Sequence, residues 1–499
     1  TLALVYLIFA LLFCYSNITY LRTSLSFSIQ NTVLKHYSES AYNARTLQHV
    51  VGPWDLHEWL DTVFANVTYG EQEEWRNDSK WSARVPAWSS SRTPATVGGF
   101  NRVLLFRLTA KRWRLVNDTM SPFSSDPPLR LPSRELSPSA TASWQAGEDS
   151  ASWCANVSGR CYEYEVDGTY SDAGGFVSYH NPLDGKDAFT AKLREMYEDG
   201  FFDFRLATFV IDMMVYNTNA ATFMHLASEF TFDFAGNCNQ ARRSRHFSLH
   251  AADITQSSPD RWVVRGILAV MVPFFLYQEC RKIRFRGFVA HFSNPESWVD
   301  FVSLALSVAV FISIGVLFSH SLVGNFSFTD LEDPSTQRAV YADLVHFSFL
   351  AQDQSYVMAF NLLIVFVRSV VLVAQLQSTF GLMLRVMSIA MPNLLMLATV
   401  FLQVQLSFVV MAHFTFGAKS GHLSTPFGAF YRCFTMMTGA PVYDDLNQAD
   451  PAMAPLFFFT FYILFYLVML NMFISILLNA YDVVDLEIKE KKEAGLLEK

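Results

Sequence analysis

Phe427-Gly428-Ala429-Phe430-Tyr431-Arg432-Cys433-Phe434-Thr435-Met436-Met437 is amphipathic and about three turns long, and it runs on into Thr438-Gly439-Ala440-Pro441 and Val442-Tyr443-Asp444-Asp445. Long runs flank it: Val386–Ala418, uncharged apart from a neutral His413, and Pro451–Tyr481, with no charge at all. Crossing a hydrocarbon core near 30 Å thick takes about 20 apolar residues. Each flanking run is long enough, and the stretch between them is too short. A short helix that dips into the membrane and stops at a Gly-containing turn is how a pore loop is built. Non-helical backbone is tolerated at that depth only inside protein or along a water-filled axis. The alternative reading is an ordinary surface loop with an interfacial helix.

The rest of the chain agrees with a membrane setting. Of 499 residues, 51% are hydrophobic and only 16% charged, against roughly 25% charged in soluble domains. This excludes an ordinary soluble enzyme. The net charge of −8 and the lack of long Lys/Arg runs exclude nucleic-acid binding as the main task. Six Cys are too few for a disulfide-built scaffold. Further apolar segments lie at Gly266–Gln278, extended by Trp262–Val264, at Phe301–Phe318, and at Val357–Gln377, which carries the single charge Arg368. The chain opens inside another, Leu2–Phe13, read as part of a first transmembrane helix because it lacks the basic region and cleavage site of a signal peptide. Six transmembrane helices are therefore expected. One large insertion, about 21–258, separates the first two.

That insertion holds eight of the ten Trp and the sequons at Asn66, Asn77, Asn117 and Asn156; a fifth, Asn325, lies between spans three and four. A six-span chain puts both segments on one face, the luminal or extracellular side where such sites are glycosylated. The loop between spans two and three carries Arg281, Lys282, Arg284 and Arg286, as a cytoplasmic loop should. Both termini are then cytoplasmic. Within the insertion, 121–152 is rich in Pro, Ser and Ala. Tyr162–Tyr179 and Phe204–Tyr216 have β-type composition, Asp187–Asp199 reads as a helix and Trp54–Phe64 as a shorter one, so the domain is expected to be α+β. Cys154 and Cys161 flank a short turn on the oxidising side and are read as a disulfide, with two free thiols as the alternative.

Three motifs then carry a resemblance. Thr169-Tyr170-Ser171-Asp172-Ala173-Gly174-Gly175-Phe176 resembles the T-Y-S-G-A-G-Y pattern of the polycystin extracellular domain. Phe209-Val210-Ile211-Asp212-Met213-Met214-Val215-Tyr216-Asn217-Thr218-Asn219 resembles its F-I-D-F-x-V-Y-N-x-N strand, and Leu470-Asn471-Met472-Phe473-Ile474-Ser475-Ile476 the L-N-M-F-L-A-I of its last span. They stand in the family's order, so the chain resembles a polycystin of the TRP cation channels, on the channel-forming, polycystin-2-like side. The resemblance implies a polytopic α-helical membrane protein of six transmembrane helices, with a large extracellular α+β (TOP) domain between helices 1 and 2. Its parts would be 1–20 as the first span, 21–258 as the TOP domain, 259–384 as spans two to four of a voltage-sensor-like bundle, 385–482 as the pore domain, and 483–499 as the start of a cytoplasmic helix.

It also implies roles. Thr438, Gly439 and Ala440 stand where the family has the filter triplet L-G-D. The acid is missing here, and Asp444 and Asp445 are read as the negative charge at the pore mouth. Asn471, Ile474, Leu478 and Asn479 fall at the lower gate, Ile474 and Leu478 having packing against span five as the alternative role. Arg368, alone in span four, is either a weak sensor of voltage or a structural partner of Glu279 or Asp300. Those two carboxylates are also read as a cation site in the bundle, because Ca²⁺ wants several oxygen ligands. The basic run Arg281–Arg286 is a topology signal, with phosphoinositide binding as the sharper alternative. No cofactor is required, with Ca²⁺ as permeant and regulatory ion. Expected partners are three further copies of the chain, a polycystin-1-like subunit and membrane lipids, but not nucleic acid. Cilium, plasma membrane and endoplasmic reticulum are the implied membranes. The competing functions are a non-conducting companion subunit and a luminal membrane enzyme; for the latter, 21–258 shows neither H-E-x-x-H nor G-x-S-x-G.

Overall fold

The computed structural model describes residues 2–21, 23–40, 46–70, 95–98, 100–112, 152–154, 160–165, 175–203, 206–232, 237–249, 259–293, 295–320, 326, 330, 336–376, 378–438 and 442–493. The Pro- and Ser-rich segment 121–151, the sequons Asn77, Asn117, Asn156 and Asn325, and the candidate filter residues Gly439 and Ala440 lie outside the described residues. The chain forms two compact units, Val5–Phe366 and Val367–Lys499, the latter with Thr1–Leu4.

The first unit begins with α1 (Leu2–Leu21), 20 residues without a charge, then α2 (Thr23–Glu39) and α3 (Pro53–Trp59), which continues as a π-helical turn, Leu60–Phe64. The strands follow: β1 (Thr96–Val97), β2 (Asn101–Arg112), β3 (Ser152–Cys154), β4 (Cys161–Glu165) and β5 (Gly175–His180). After α4 (Lys186–Glu198) come β6 (Leu206–Asn217), β7 (Thr222–Phe232) and β8 (Cys238–Phe247). All pair antiparallel in the order β3-β4-β5-β2-β6-β7-β8, with β1 on β2. The mixed composition expected of the insertion is thus a single sheet with helices on it. Cys154 stands opposite Cys161 in the β3–β4 register.

Long strands buried on both faces explain their apolar runs. On one face Phe106, Phe209, Ile211 and Met224 pack with Val33, Leu60, Phe64, Phe189 and Leu193 of the preceding and intervening helices. The other face is covered differently. α5 (Pro259–Arg286), α6 (Phe288–Phe292) and α7 (Pro295–Phe318) lead to α8 (Gln337–Leu376), which has 40 residues. At 1.5 Å per residue that is about 60 Å, twice the thickness of a hydrocarbon core. Read from Val357, the segment was expected to be a span only. Its first half contains Arg338, Asp343 and Asp353 and so breaks the apolar run, yet its Tyr341, Leu344, Phe347 and Ala351 pack on Leu105, Met214, Phe223 and Phe247 of the sheet. The helix-period stripe is a docking face for a sheet, not for lipid.

A row of buried charge crosses the sheet under that docked half-helix. Arg107 on β2 and Asp212 on β6 are register partners joined at 2.7 Å, and His225 Nε2 on β7 lies 3.3 Å from the other Asp212 oxygen. Arg245 on β8 is opposite His225, donates to its Nδ1 at 3.2 Å, and lies over the Phe349 ring of α8 at 3.7 Å. The Ser348 hydroxyl of α8 is 3.3 Å from the same Nδ1. Burial alone would raise the Asp212 pKa, but the His225 imidazole and the Arg107 guanidinium outweigh it and pull the carboxyl down to about 2.

The second unit holds α9 (Ser378–Phe416), α10 (Pro426–Met437), α11 (Tyr443–Ala449), α12 (Met453–Tyr462) and α13 (Leu470–Glu493), the last two joined by a π-helical segment, Ile463–Met469. Among the described residues five helical stretches are long and apolar enough to cross a membrane: Val263–Arg286, Ser297–Leu317, Gln337–Val370, Gly381–Phe416 and Met453–Glu490.

Asp212→Asn leaves the Arg107 guanidinium buried without its counter-charge and should destabilise the sheet by about 3–5 kcal/mol in urea unfolding at neutral pH. Because the folded pKa lies below the unfolded one, the carboxylate's contribution is complete above about pH 4 and is lost as the pH falls towards 2. The wild type should show that acid limb in far-ultraviolet circular dichroism, and the variant should not.

Candidate functional site

The site is the segment between α9 and α12. α10 starts where sequence chemistry says a helix should: Pro426 is its first residue, and the Thr425 hydroxyl accepts from the Gly428 amide at 3.1 Å. Gly428 is required there, since a Cβ would come within 2.5 Å of the His422 carbonyl oxygen. The buried face of α10 is Ala429, Cys433 and Met436, at i, i+4 and i+7, while Phe427 and Tyr431 are exposed. His413 Nδ1 lies 2.9 Å from the Leu423 carbonyl and pins the preceding loop to the end of α9.

The far end of α10 decides what the segment can do. The last carbonyls of a helix have no intrahelical partner, and leaving them bare in an apolar setting is costly. Here Tyr462 donates its hydroxyl to the Met436 carbonyl at 3.0 Å and Tyr466 donates to that of Met437 at 2.7 Å. The two rings stack at 5.0 Å. Both tyrosines belong to the last long helix, Tyr466 within its π-helical segment. The helix therefore stops at Thr438 with its terminal carbonyls held by a neighbour. Beside this point an apolar cavity of about 450 Å³ opens between Leu397, Phe401, Met437, Phe465 and Phe473.

The candidate mouth residues separate. Asp445 accepts from Arg432 of α10 at 2.5 Å, so its charge is neutralised locally. Asp444, one residue earlier on α11, is exposed. Asp450 accepts from Lys419 at 3.0 Å and from the amides of Ala452 and Met453, capping α12. The Lys419 hydrogen bond and those amides hold its carboxyl below the ordinary value. Thr438 is exposed, and its hydroxyl donates to the Thr435 carbonyl at 2.8 Å.

Met469, just before α13, and Ala480 and Val484 on it are buried. Asn471, Ile474, Leu478 and Asn479 are all exposed in the single chain, Ile474 at 44% and Leu478 at 59%. Packing inside the chain is thus not what occupies Ile474 and Leu478. Asn471 donates to the Leu467 carbonyl of its own helix. Arg385 of α9 and Glu487 of α13 form an ion pair.

In the first unit, Glu279 and Asp300 do come together, with Lys282 between them. Arg368 sits half-buried on α8. Asn66 is in a helix, its amide donating to the Thr62 carbonyl and accepting from Lys186. Sequence reasoning passed over Tyr462, Tyr466, Arg432 and Lys282. The signals were a pair of hydroxyls at i, i+4 within an otherwise apolar run, which need partners when buried, and a Lys three residues after a Glu on one helix.

Long apolar helices around a short re-entrant one define a polytopic helical membrane protein. Residues 254–484 match the family described as "Polycystin cation channel". The chain is 23% identical to Polycystin-2 of Danio rerio over 329 residues, 65% of this chain and 35% of that one. It is 22% identical to human Polycystin-2-like protein 1 over 330 residues, 65% of this chain and 39% of that one. The matched region is thus well under half the length of those relatives. A solved structure described as "PI3P and calcium bound full-length TRPY1 in detergent" matches at 13% identity and a TM-score of 0.32, over 46% of this chain and 38% of that one, too slight a likeness to bear on the fold. The family is one of ion channels, not enzymes.

Tyr462→Phe and Tyr466→Phe each remove the hydroxyl that donates to a terminal carbonyl of α10. Each should cost about 0.5–1.5 kcal/mol, read as a lower melting temperature and faster hydrogen exchange at the end of α10. A buried hydroxyl without a carbonyl partner would instead be removed at little cost.

Proposed function

We propose that the chain is one subunit of a tetrameric, non-selective and calcium-permeable cation channel, with its pore loop at 424–445. The observation that carries this reading is the re-entrant α10, which ends at Thr438 on carbonyls clamped by Tyr462 and Tyr466. A helix C-terminus carries partial negative charge, so an end held beside a water-filled axis favours cations. One subunit supplies two long helices and a loop, which cannot enclose an axis, and several copies, four by family likeness, close it. Thr438, Gly439 and Ala440 then form the filter through backbone carbonyls. Asp444 supplies the mouth charge, with Asp445 spent on Arg432.

The gate follows from exposure. Ile474 and Leu478 are large apolar side chains that the single chain leaves uncovered, and four copies would bring them into a ring that closes by dewetting. Asn471 and Asn479 flank that ring. α1 is the sixth span, and the sheet between α2 and α5 is the extracellular TOP domain, glycosylated at its sequons. The register of Cys154 with Cys161 supports their disulfide, and Cys161 is not among the free thiols. The basic run at the end of α5 faces the cytoplasm and its phosphoinositides. By family likeness the channel resides in cilia, the plasma membrane or the endoplasmic reticulum, alone or with a polycystin-1-like subunit.

Reversal potentials of the purified protein in a planar bilayer, with K⁺ opposed to Na⁺ or Ca²⁺, test this. Cation currents should appear, and Asp444→Asn should lower unitary conductance about twofold at low salt, the effect fading at high salt. Asp445→Asn should change it far less. Silence that persists in Ile474→Asn, which should wet the gate, would favour the companion-subunit reading instead.

A further inference from the structure

Where α5 and α7 meet, four ionisable side chains come together. Glu279 on α5 is 4% exposed, and His291 on α6 is 1% exposed. His291 Nε2 lies 2.9 Å from one Glu279 oxygen, and Lys282 Nζ donates to the other at 2.9 Å. The same Lys282 Nζ donates to an Asp300 oxygen of α7 at 2.8 Å. One ammonium thus bridges two carboxylates from two helices.

Glu279 and Asp300 are the carboxylates that the family resemblance offers to a bundle Ca²⁺. The residues present do not fit that ion. Ca²⁺ takes six to eight oxygen ligands at about 2.3–2.6 Å. Both Glu279 oxygens are already engaged, one by an ammonium and one by an imidazole. Among the described residues, no group of three or more His, Cys, Asp or Glu is arranged to hold a metal. A divalent ion near these carboxylates would also stand against the fixed charge of Lys282, whose ammonium already lies between them.

We infer that Lys282 is a tethered cation: its ammonium stands where a divalent ion would sit between Glu279 and Asp300, and it holds α5 to α7 in place of calcium. The junction is therefore closed at every Ca²⁺ concentration. Exchanging Lys282 for Gln removes the positive charge, adds an amide oxygen and leaves two carboxylates facing each other. That is a donor set suited to a hard cation, so one substitution should convert the junction into a Ca²⁺ site.

The test is thermal unfolding of the purified full chain in detergent, in chelator and in about 1 mM Ca²⁺. Its readout is binding, so it stands or falls apart from conduction. Wild type and Asp300→Asn should respond equally to Ca²⁺, whatever other sites contribute. Lys282→Gln should melt lower in chelator and gain an extra Ca²⁺-dependent rise of at least about 2 °C, absent from Lys282→Gln/Asp300→Asn. Lys282→Arg, which keeps the cation, should behave as wild type. A Ca²⁺ response of the wild type that Asp300→Asn removes would overturn the inference, as would a folded Lys282→Gln with no added response. Should Lys282→Gln fail to fold, the wild-type and Asp300→Asn pair decides: equal responses uphold the tethered cation, and a response lost with Asp300 overturns it.

Discussion

A backbone carbonyl that leaves a helix inside an apolar environment has to find a donor, and the second unit is arranged around that demand. α10 stops at Met437, and its last carbonyls are not left bare. Its start is closed by Thr425 and Pro426, devices local to the sequence. Its end is closed from outside, by Tyr462 and Tyr466 of the last long helix. The end of α10 and the last long helix are thus tied at the same two carbonyls. Tyr466 lies in the π-helical segment Ile463–Met469, where hydrogen bonding departs from the regular ladder and functional sites are often found. A change of pitch there would bear directly on the end of α10.

Charge is handled by the same logic of mutual satisfaction. Arg107 and Asp212 neutralise one another, and His225 and Arg245 extend the hydrogen-bonded row to four strands, under the half of α8 that docks on the sheet. Lys282 settles Glu279 and Asp300, and Arg432 settles Asp445. A buried pair such as Arg107–Asp212 adds little net stability over apolar packing, but losing one partner is expensive. These pairs act as fixed joints. Asp444, outside such a pair, is left for the aqueous side.

Much was legible in the sequence, and the reason is periodicity. Long apolar runs with few or no charges declare spans whatever surrounds them, and the segments read from Trp262, Phe301, Val386 and Pro451 correspond to long helices. Alternation and β-type composition placed β5 and β6, and the amphipathic stripe placed α4 and α10. The reading of α8 went only half way, because Arg338, Asp343 and Asp353 break its apolar run while its stripe still packs on a sheet.

The site divides along the same line. Which residues form the short helix and where it starts, at Thr425 and Pro426, are properties of the local chain, and the sequence by itself determined them. Whether a given charge is free depends on neighbours distant in sequence. Asp445 and Asp444 are adjacent and chemically identical, yet only the packing of α11 against α10 puts Arg432 on one of them. Glu279 and Asp300 read as an open cation site until the meeting of α5 with α7 placed Lys282 between them. Propensity and hydropathy act over a few residues, whereas hydrogen bonds and ion pairs act over a few ångströms, and only the tertiary structure converts one distance into the other.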